Sequence, residues 1–241
     1  MRDLFRRYAM KGFFGGSGGG GGSGGGGGST GEEWFNDGDT HIWITLQEGR
    51  TSPMLGVCPN GTVTVDWGDG TTPNTLTGTS VSTVKWTPTH NYAVPGDYVI
   101  RLTVSGSMGF VGTSSSNQYA CMLRYTSGGD TRNYVYRNAV RKIEIGSSVT
   151  SIGTSAFYDC YSLSSITIPS TVTSIGIDAF YSCYGIRYYD FTSHIAVPTL
   201  ANTNTFSGIV ADCEIRVPAA LYDEWTAATN WSNYASYIKA V

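Results

Sequence analysis

The sequence has few charged residues and no long apolar run. Asp, Glu, Lys and Arg make up 14% of the 241 residues, against about 25% in an average soluble domain. Because coiled coils and charged disordered chains need many more charges, this composition argues against both classes. No stretch approaches the ~18 consecutive apolar residues of a membrane-spanning helix. The sequence therefore predicts no transmembrane span.

Cysteine and histidine are also scarce, with five and three residues. The cysteines are odd in number and contain no C-x-x-C pair, which excludes a zinc knuckle and a thioredoxin motif. The histidines lie in unrelated segments, and H-E-x-x-H is absent. G-x-S-x-G and Gly-rich phosphate-binding patterns occur only inside the low-complexity tract at 15–31, without the strand–turn–helix context that gives them chemical meaning. Asp66 and Asp69 lack the spacing of a calcium loop, so we expect them to stabilise a turn. We therefore predict no catalytic residue, no metal, no cofactor and no enzymatic activity.

Positive charge is concentrated at the N-terminus. The first eleven residues carry a net charge of +3, which leaves −6 for the rest of the chain. A mildly acidic body does not suit nucleic-acid binding, which needs clustered Lys and Arg. We therefore expect no nucleic-acid partner. The basic start also lacks the apolar run of ~7–15 residues that a signal peptide requires.

Two segments without a core-forming pattern come first. Residues 1–14 are predicted to be a peptide that becomes ordered on a partner, and the alternative is a disordered tail, because so short a helix is unstable alone. Residues 15–31 are Gly-rich and predict a flexible linker. The alternatives are a polyproline-II-like bundle of several chains and an engineered fusion linker. The candidate anchoring residues are Leu4, Phe5, Arg6, Arg7, Tyr8, Phe13 and Phe14.

Residues 32–108 have the pattern of a β-sandwich. Apolar residues alternate at 40–46 and 97–104, and Gly, Pro and Asn separate the runs, as expected for short strands joined by turns. The motifs VDWGDGT (65–71) and THNYAVPGDYVIRLTVSG (89–106) resemble the PKD-type immunoglobulin-like domain, except that Phe is missing before Gly-Asp-Gly. The resemblance implies an adhesive spacer without catalytic residues.

An internal repeat follows a connector at residues 109–140. Its period is 23 residues, and each unit contains one strand-like segment. This period predicts a leucine-rich-type solenoid whose coils stack on one another. The motif VTSIG occurs at 149–153 and 172–176, and AFYxCY occurs at 156–161 and 179–184.

The pattern V-T-S-I-G-x-x-A-F-x-x-C-x-x-L-x-x-I-x-I-P resembles the BspA-like leucine-rich repeat of surface and secreted proteins of gut and oral microbes. The resemblance covers residues 141–241 and implies a helical cap at the C-terminal end. The repeat also predicts core ladders, in which equivalent residues of adjacent coils stack. Their members are Ile152 and Ile175, Phe157 and Phe180, and Cys160 and Cys183.

Two features of the repeat leave alternatives open. Adjacent strands lie ~4.8 Å apart, so a Cys160–Cys183 disulfide is geometrically feasible. We favour two reduced, buried thiols, because cysteine is part of the repeated pattern. The tyrosines at 158, 161, 181, 184, 188 and 189 either stack along the solenoid or form a recognition face for a sugar or a protein. The candidate residues of that face are Tyr158, Tyr181 and Tyr188.

These patterns predict a mainly β protein with an Ig-like/PKD β-sandwich, a short leucine-rich-repeat solenoid and a C-terminal helical cap. We expect a structural or adhesive protein of a phage virion, as a head fibre, decoration protein or tail adhesin. Its N-terminus would bind other virion proteins, and its β modules would bind a host surface protein or glycan. A homo-oligomer, such as a trimer, is compatible with this role. The alternative is a bacterial cell-surface or secreted adhesin; a glycan hydrolase would need an acid/base pair that we do not find.

Overall fold

The computed structural model describes residues 35, 37–111, 113–115, 118–124, 136 and 138–241. The predicted anchoring peptide at 1–14 and the linker at 15–31 lie outside these residues. The described part is mainly β. Its first strands are β1 (Thr40–Leu46), β2 (Met54–Asp66), β3 (Asn74–Thr79), β4 (Lys85–Trp86), β5 (Gly96–Phe110), β6 (Thr113–Ser115), β7 (Gln118–Ala120) and β8 (Leu123–Arg124).

The repeat region adds shorter strands and a helical C-terminus. Its strands are β9 (Val140–Glu144), β10 (Val149–Ile152), β11 (Ser165–Thr167), β12 (Ser174–Ile175), β13 (Tyr188–Asp190), β14 (Thr199–Leu200), β15 (Glu214–Val217) and β16 (Ile238–Ala240). The α-helix α1 (Tyr222–Ala227) lies between 3₁₀ turns at Ala219–Leu221 and Trp231–Tyr234. No helix of the described ranges is long and apolar enough to cross a membrane.

The N-terminal strands are antiparallel. β1 follows the predicted alternation, whereas β2 departs from it at residues 55–59, which are all buried. β1 has the bounds predicted from its period of two, with Ile42, Ile44 and Leu46 buried on its inner face. β2 pairs with β3 on one edge and with β5 on the other.

β5 joins the N-terminal strands to the repeat. One edge of β5 pairs with β2. Its other edge pairs with β1 over residues 96–102 and with β10 over residues 108–110. β1 in turn pairs with β9. The solenoid series β10–β12–β14 therefore begins at β5, and the series β9–β11–β13–β15–β16 begins at β1, the neighbour of β5.

Three successive coils contribute one strand to each series, as β9 and β10, β11 and β12, and β13 and β14; β15 and β16 extend the first series alone. The strands pair in parallel and in register, so that equivalent apolar residues stack. A single coil cannot bury its apolar side chains, and stacking provides the missing partner surface. One column consists of Ile166, Tyr189 and Ile215, and the other of Ile152, Ile175 and Leu200; all are buried.

A column of aromatic rings runs through the core of the solenoid. The rings of Phe157 and Phe180 are parallel, with centroids 5.2 Å apart, and Phe206 continues the column 5.5 Å beyond Phe180. Phe110, at the end of β5, lies 5.7 Å from Phe157. Trp231 lies 5.6 Å from Phe206 at the other end. The N-terminal strands and the C-terminal turns therefore close the same column.

Side chains of the C-terminal segment also donate hydrogen bonds to backbone carbonyl groups of the last coil. Asn230 donates its amide Nδ2 to the carbonyl of Leu200 at 2.7 Å. Trp231 donates its indole Nε1–H to the carbonyl of Pro198 at 2.8 Å. Exposed strand edges invite pairing with other chains, and these side chains occupy acceptors at the edge of β14.

We expect Phe180→Ala to lower the free energy of unfolding by about 3–5 kcal/mol, because rings lie against both faces of the side chain. Phe110→Ala should have an effect of similar size and should destabilise the N-terminal strands together with the repeat. Denaturation followed by tryptophan fluorescence and by circular dichroism measures both changes. Thr75→Ala, at an exposed site on β3, is the control. A separate transition confined to the repeat would contradict the shared core.

Candidate functional site

Two rows of tyrosines lie on the turns that follow the buried phenylalanines. Tyr158 and Tyr181 stack with centroids 4.9 Å apart and ring planes within 3° of parallel. Tyr161 and Tyr184 stack at 5.6 Å and 6°. The repeat places each ring beside its equivalent in the next coil. We call these four residues the Tyr face.

The Tyr face is partly exposed to solvent. Tyr184 is 51% exposed and Tyr161 is 36% exposed. Within each row the two rings stack on each other, so each ring covers one face of its partner. Gly208 lies close to Tyr184, because a Cβ added to Gly208 would be 2.8 Å from the ring. Sugar rings pack on open aromatic faces, whereas ring edges and phenol groups suit contacts with polar and aromatic protein side chains.

Polar residues with a left-handed backbone conformation accompany the tyrosines. Ser155 and Asp178 occupy equivalent positions with a φ of 54°, and Asp159 and Ser182 share a φ of 57°. Such values are uncommon outside glycine, and their recurrence in both coils shows that the turn requires them. Ser182 donates its hydroxyl to the Tyr184 Oη at 3.0 Å, which orients that phenol group.

Two buried carboxylates, Asp159 and Asp178, lie in these turns. The Oδ1 of Asp178 and the Oγ of Ser155 have no hydrogen-bond partner among the residues that the structure describes. Burial raises the pKa of Asp178 above its ordinary value. A carboxylate without a donor is costly to bury, so these two groups are the least satisfied polar atoms beside the Tyr face.

Tyr188 lies on a different surface from the other two predicted recognition residues. It is part of β13, and the guanidinium carbon of Arg216 lies 4.2 Å from its ring centroid. Arg216 also donates its Nε to Glu214 at 2.8 Å. Tyr161 and Tyr184 were not among the predicted recognition residues. Their spacing of 23 residues is the signal that would have identified them.

The predicted ladder residues lie in the core. Ile152, Ile175, Phe157, Phe180, Cys160 and Cys183 are all buried. None of the five cysteines, all of which the structure describes, forms a disulfide. Cys183 donates its thiol to the carbonyl of Phe157 at 3.0 Å. Burial raises the pKa of the Cys183 thiol, and it raises the pKa of Cys58 and of Cys213 to about 11.

The Asp-Trp-Gly-Asp-Gly turn is held by its own side chains. Asp69 accepts hydrogen bonds from the N–H and the hydroxyl of Thr71, at 3.1 and 2.7 Å. His90 Nε2 lies 2.8 Å from the other Asp69 oxygen, and its ring stacks on Trp67 with centroids 4.5 Å apart. Burial by itself raises the pKa of Asp69, but the hydrogen bonds from Thr71 and His90 outweigh it and leave the pKa lowered. Within the described ranges, no group of three His, Cys, Asp or Glu residues could hold a metal ion.

The repeat has a family match. Residues 131–220 match the family model of the BspA type leucine-rich repeat region, with six copies. This match confirms the predicted BspA-like repeat over that part of the chain. It does not extend to residues 32–108, where the PKD resemblance stays a prediction. No curated protein matches the chain.

We expect the five thiols to be unreactive in the folded protein. Buried thiols with raised pKa values are protonated and shielded at neutral pH, and the thiolate is the reactive form. Titration with a thiol-specific chromogenic reagent should detect no cysteine in the native chain and all five in denaturant. A reductant should leave the unfolding midpoint unchanged. Loss of stability on reduction would instead indicate a Cys160–Cys183 bridge.

The lowered pKa of Asp69 predicts a loss of stability in acid. A carboxylate with a lowered pKa in the folded state stabilises the fold above its ordinary pKa of 3.8, and this contribution is lost as the pH falls further. Asp69→Asn should therefore cost about 1–3 kcal/mol near neutral pH, and the difference from the native protein should shrink below pH 3.8. Urea denaturation at several pH values measures this difference in the free energy of unfolding. An equal cost at every pH would contradict this assignment. Asp66→Asn, at an exposed position in the same turn, is the control.

Proposed function

We propose that the protein is a non-enzymatic adhesin of a phage virion, anchored through its N-terminus, and that the Tyr face binds a protein on the host surface. The observation that carries the binding role is the pair of stacked, partly exposed tyrosine rows on a BspA type repeat. Such repeats suggest a surface adhesin-type protein.

The exposed groups of the Tyr face favour a protein over a glycan as the partner. Tyrosine contributes a large contact area at a low cost in conformational entropy, since its side chain has two rotatable angles. Stacking restricts the rings further, because each row is packed in parallel. Pre-ordered side chains lose little entropy on binding. The face is therefore a preformed surface of tyrosine rings.

The virion context is supported by the sequence. Residues 1–14 combine Arg6 and Arg7 with apolar Leu4, Phe5 and Phe14, a composition that suits docking on a larger assembly. Residues 15–31 would separate that anchor from the β part of the chain. The alternative, a bacterial cell-surface or secreted adhesin, uses the same Tyr face with a different attachment.

Deletion of residues 1–14 tests the anchor. Particles purified from the producing culture should contain the full chain, detected by mass spectrometry and by gold-labelled antibody in electron micrographs. The shortened chain should be absent from the particles and keep the same unfolding midpoint. Incorporation at full occupancy would show that the anchor lies elsewhere. Recovery of the full chain in the cell-envelope fraction, and not in particles, would support the alternative.

Substitution of the row formed by Tyr161 and Tyr184 tests the binding face. The double variant Tyr161→Ser and Tyr184→Ser should reduce binding of the fluorescently labelled chain to host cells by at least about tenfold, as expected for central interface tyrosines. Tyr222→Ser is the matched control, because Tyr222 is 36% exposed and lies on α1, outside the Tyr face.

Treatment of the cells separates the two classes of receptor. Protease treatment should abolish binding, and periodate oxidation of surface glycans should leave it intact. The opposite result would replace the protein partner with a glycan. Equal binding by the double variant and the native chain would contradict the role of the Tyr face itself.

A further inference from the structure

A cluster of charged and aromatic side chains lies on the outer face of β1, away from the Tyr face. His41 and Trp43 project from this face, opposite the buried side of the strand. β9 contributes Lys142 and Glu144, since Trp43 pairs with Lys142 and His41 pairs with Glu144. β5 contributes Arg101, the partner of His41 on the other edge. The outer face thus brings together three strands that are distant in sequence.

The segment that precedes β1 covers this cluster. The ring of Phe35 stacks on His41 with centroids 4.1 Å apart, and the Phe35 N–H donates to Glu144 at 3.3 Å. Asp39 accepts from Arg101 Nε at 2.7 Å. Asp37 lies 3.2 Å from the Arg101 Nη2. We call Phe35 and residues 37–39 the clasp.

His41 is the titratable group at the centre of the clasp. Its side chain is only 2% exposed. Asp37 lies 3.6 Å from Nε2, and Glu144 lies 3.6 Å from Nδ1. Neither ring nitrogen has a hydrogen-bond partner within the described part of the chain. A proton added to this ring would be buried without an acceptor at hydrogen-bond distance.

The neighbouring carboxylates already have cationic partners. Arg101 pairs with both Asp37 and Asp39. The ammonium group of Lys142 lies 3.8 Å from Glu144. The groups that face His41 are thus Asp37 and Asp39 from the clasp, Glu144 and Lys142 from β9, and Arg101 from β5. A positive charge on His41 would compete with Arg101 and Lys142 for the same carboxylates.

We propose that the clasp is an acid-sensitive latch, which holds the chain that follows the Gly-rich segment against β1 at neutral pH and releases it when His41 is protonated. Release would free Phe35 and residues 37–39 from the sheet and lengthen the tether between the N-terminal peptide and the β part of the chain. The inference depends on the clasp geometry and is independent of the role proposed for the Tyr face.

The direction of the pH effect follows from burial. Burial lowers the pKa of His41 below its ordinary value of 6.5; Asp37 and Glu144 oppose this shift without reversing it. A histidine with a lowered pKa in the closed state stabilises that state above pH 6.5. Its contribution is lost as the pH falls below that value. Between the ordinary and the lowered pKa, the opening constant should rise about tenfold for each pH unit.

Hydrogen–deuterium exchange of the full chain tests the latch. Exchange is measured at about pH 7.5 and about pH 5.5, on either side of the ordinary histidine pKa, and corrected for the intrinsic rate at each pH. Amides of residues 37–40 should lose up to about tenfold of their protection on acidification, the most that one histidine can contribute over this pH range. Amides of β13 should keep theirs. Unchanged protection at residues 37–40 would overturn the proposal.

Variants assign the effect to His41. His41→Gln, which does not titrate, should remove the pH dependence of the clasp amides. His194→Gln is the matched control, because His194 is also a buried histidine with a pKa lowered by burial, and it packs against Phe191 far from the clasp. Phe35→Ala should increase exchange of the clasp at both pH values. If His41→Gln loses protection on acidification as the native chain does, another group is responsible.

A titration of the native chain tests the proposal without any substitution, so its result does not depend on whether a variant folds. The ring C–H resonances of His41 should titrate with a midpoint below 6.5, and the loss of protection should follow the same curve. A midpoint above 6.5, as expected if the flanking carboxylates prevailed, would mean that protonation tightens the clasp and would overturn the proposal.

Discussion

The structure depends on one constraint: a coil of the repeat cannot bury its apolar side chains by itself. Each coil obtains its core from the next one, through the parallel columns of Ile and Phe. The array must therefore be closed at both ends. Phe110 of β5 closes one end, and Trp231 closes the other. The N-terminal strands thus act as part of the solenoid.

The same constraint produces the surface features that we relate to function. Stacking in register brings equivalent outer residues together, so Tyr158 and Tyr181 form a row. Closure at β5 places β1 beside β9. That pairing brings His41 next to Glu144. The Tyr face and the clasp therefore both arise from how coils and strands are joined.

The sequence predicted the elements whose signals are local. The alternation at 40–46 predicted β1 with its bounds, and the 23-residue period identified the repeat that the family match confirms. The sequence grouped Tyr188 with Tyr158 and Tyr181 in one recognition face only because tyrosine is abundant in this region. The structure puts Tyr188 on β13, beneath Arg216. A count of tyrosines cannot separate one surface of a coil from another. The clasp had no sequence signal, because its members come from segments that are distant in the chain.

The sequence by itself determined which residues repeat and which face of each strand is apolar, because both are properties of spacing along the chain. Only the tertiary structure decided that β5 pairs with β1 and with β10 on the same edge. Such pairing depends on which strand edges still offer unpaired N–H and C=O groups as the chain folds, and no local sequence pattern indicates this. The same holds for His41. Its ordinary side chain became a buried group between two carboxylates because three strands and the clasp meet around it.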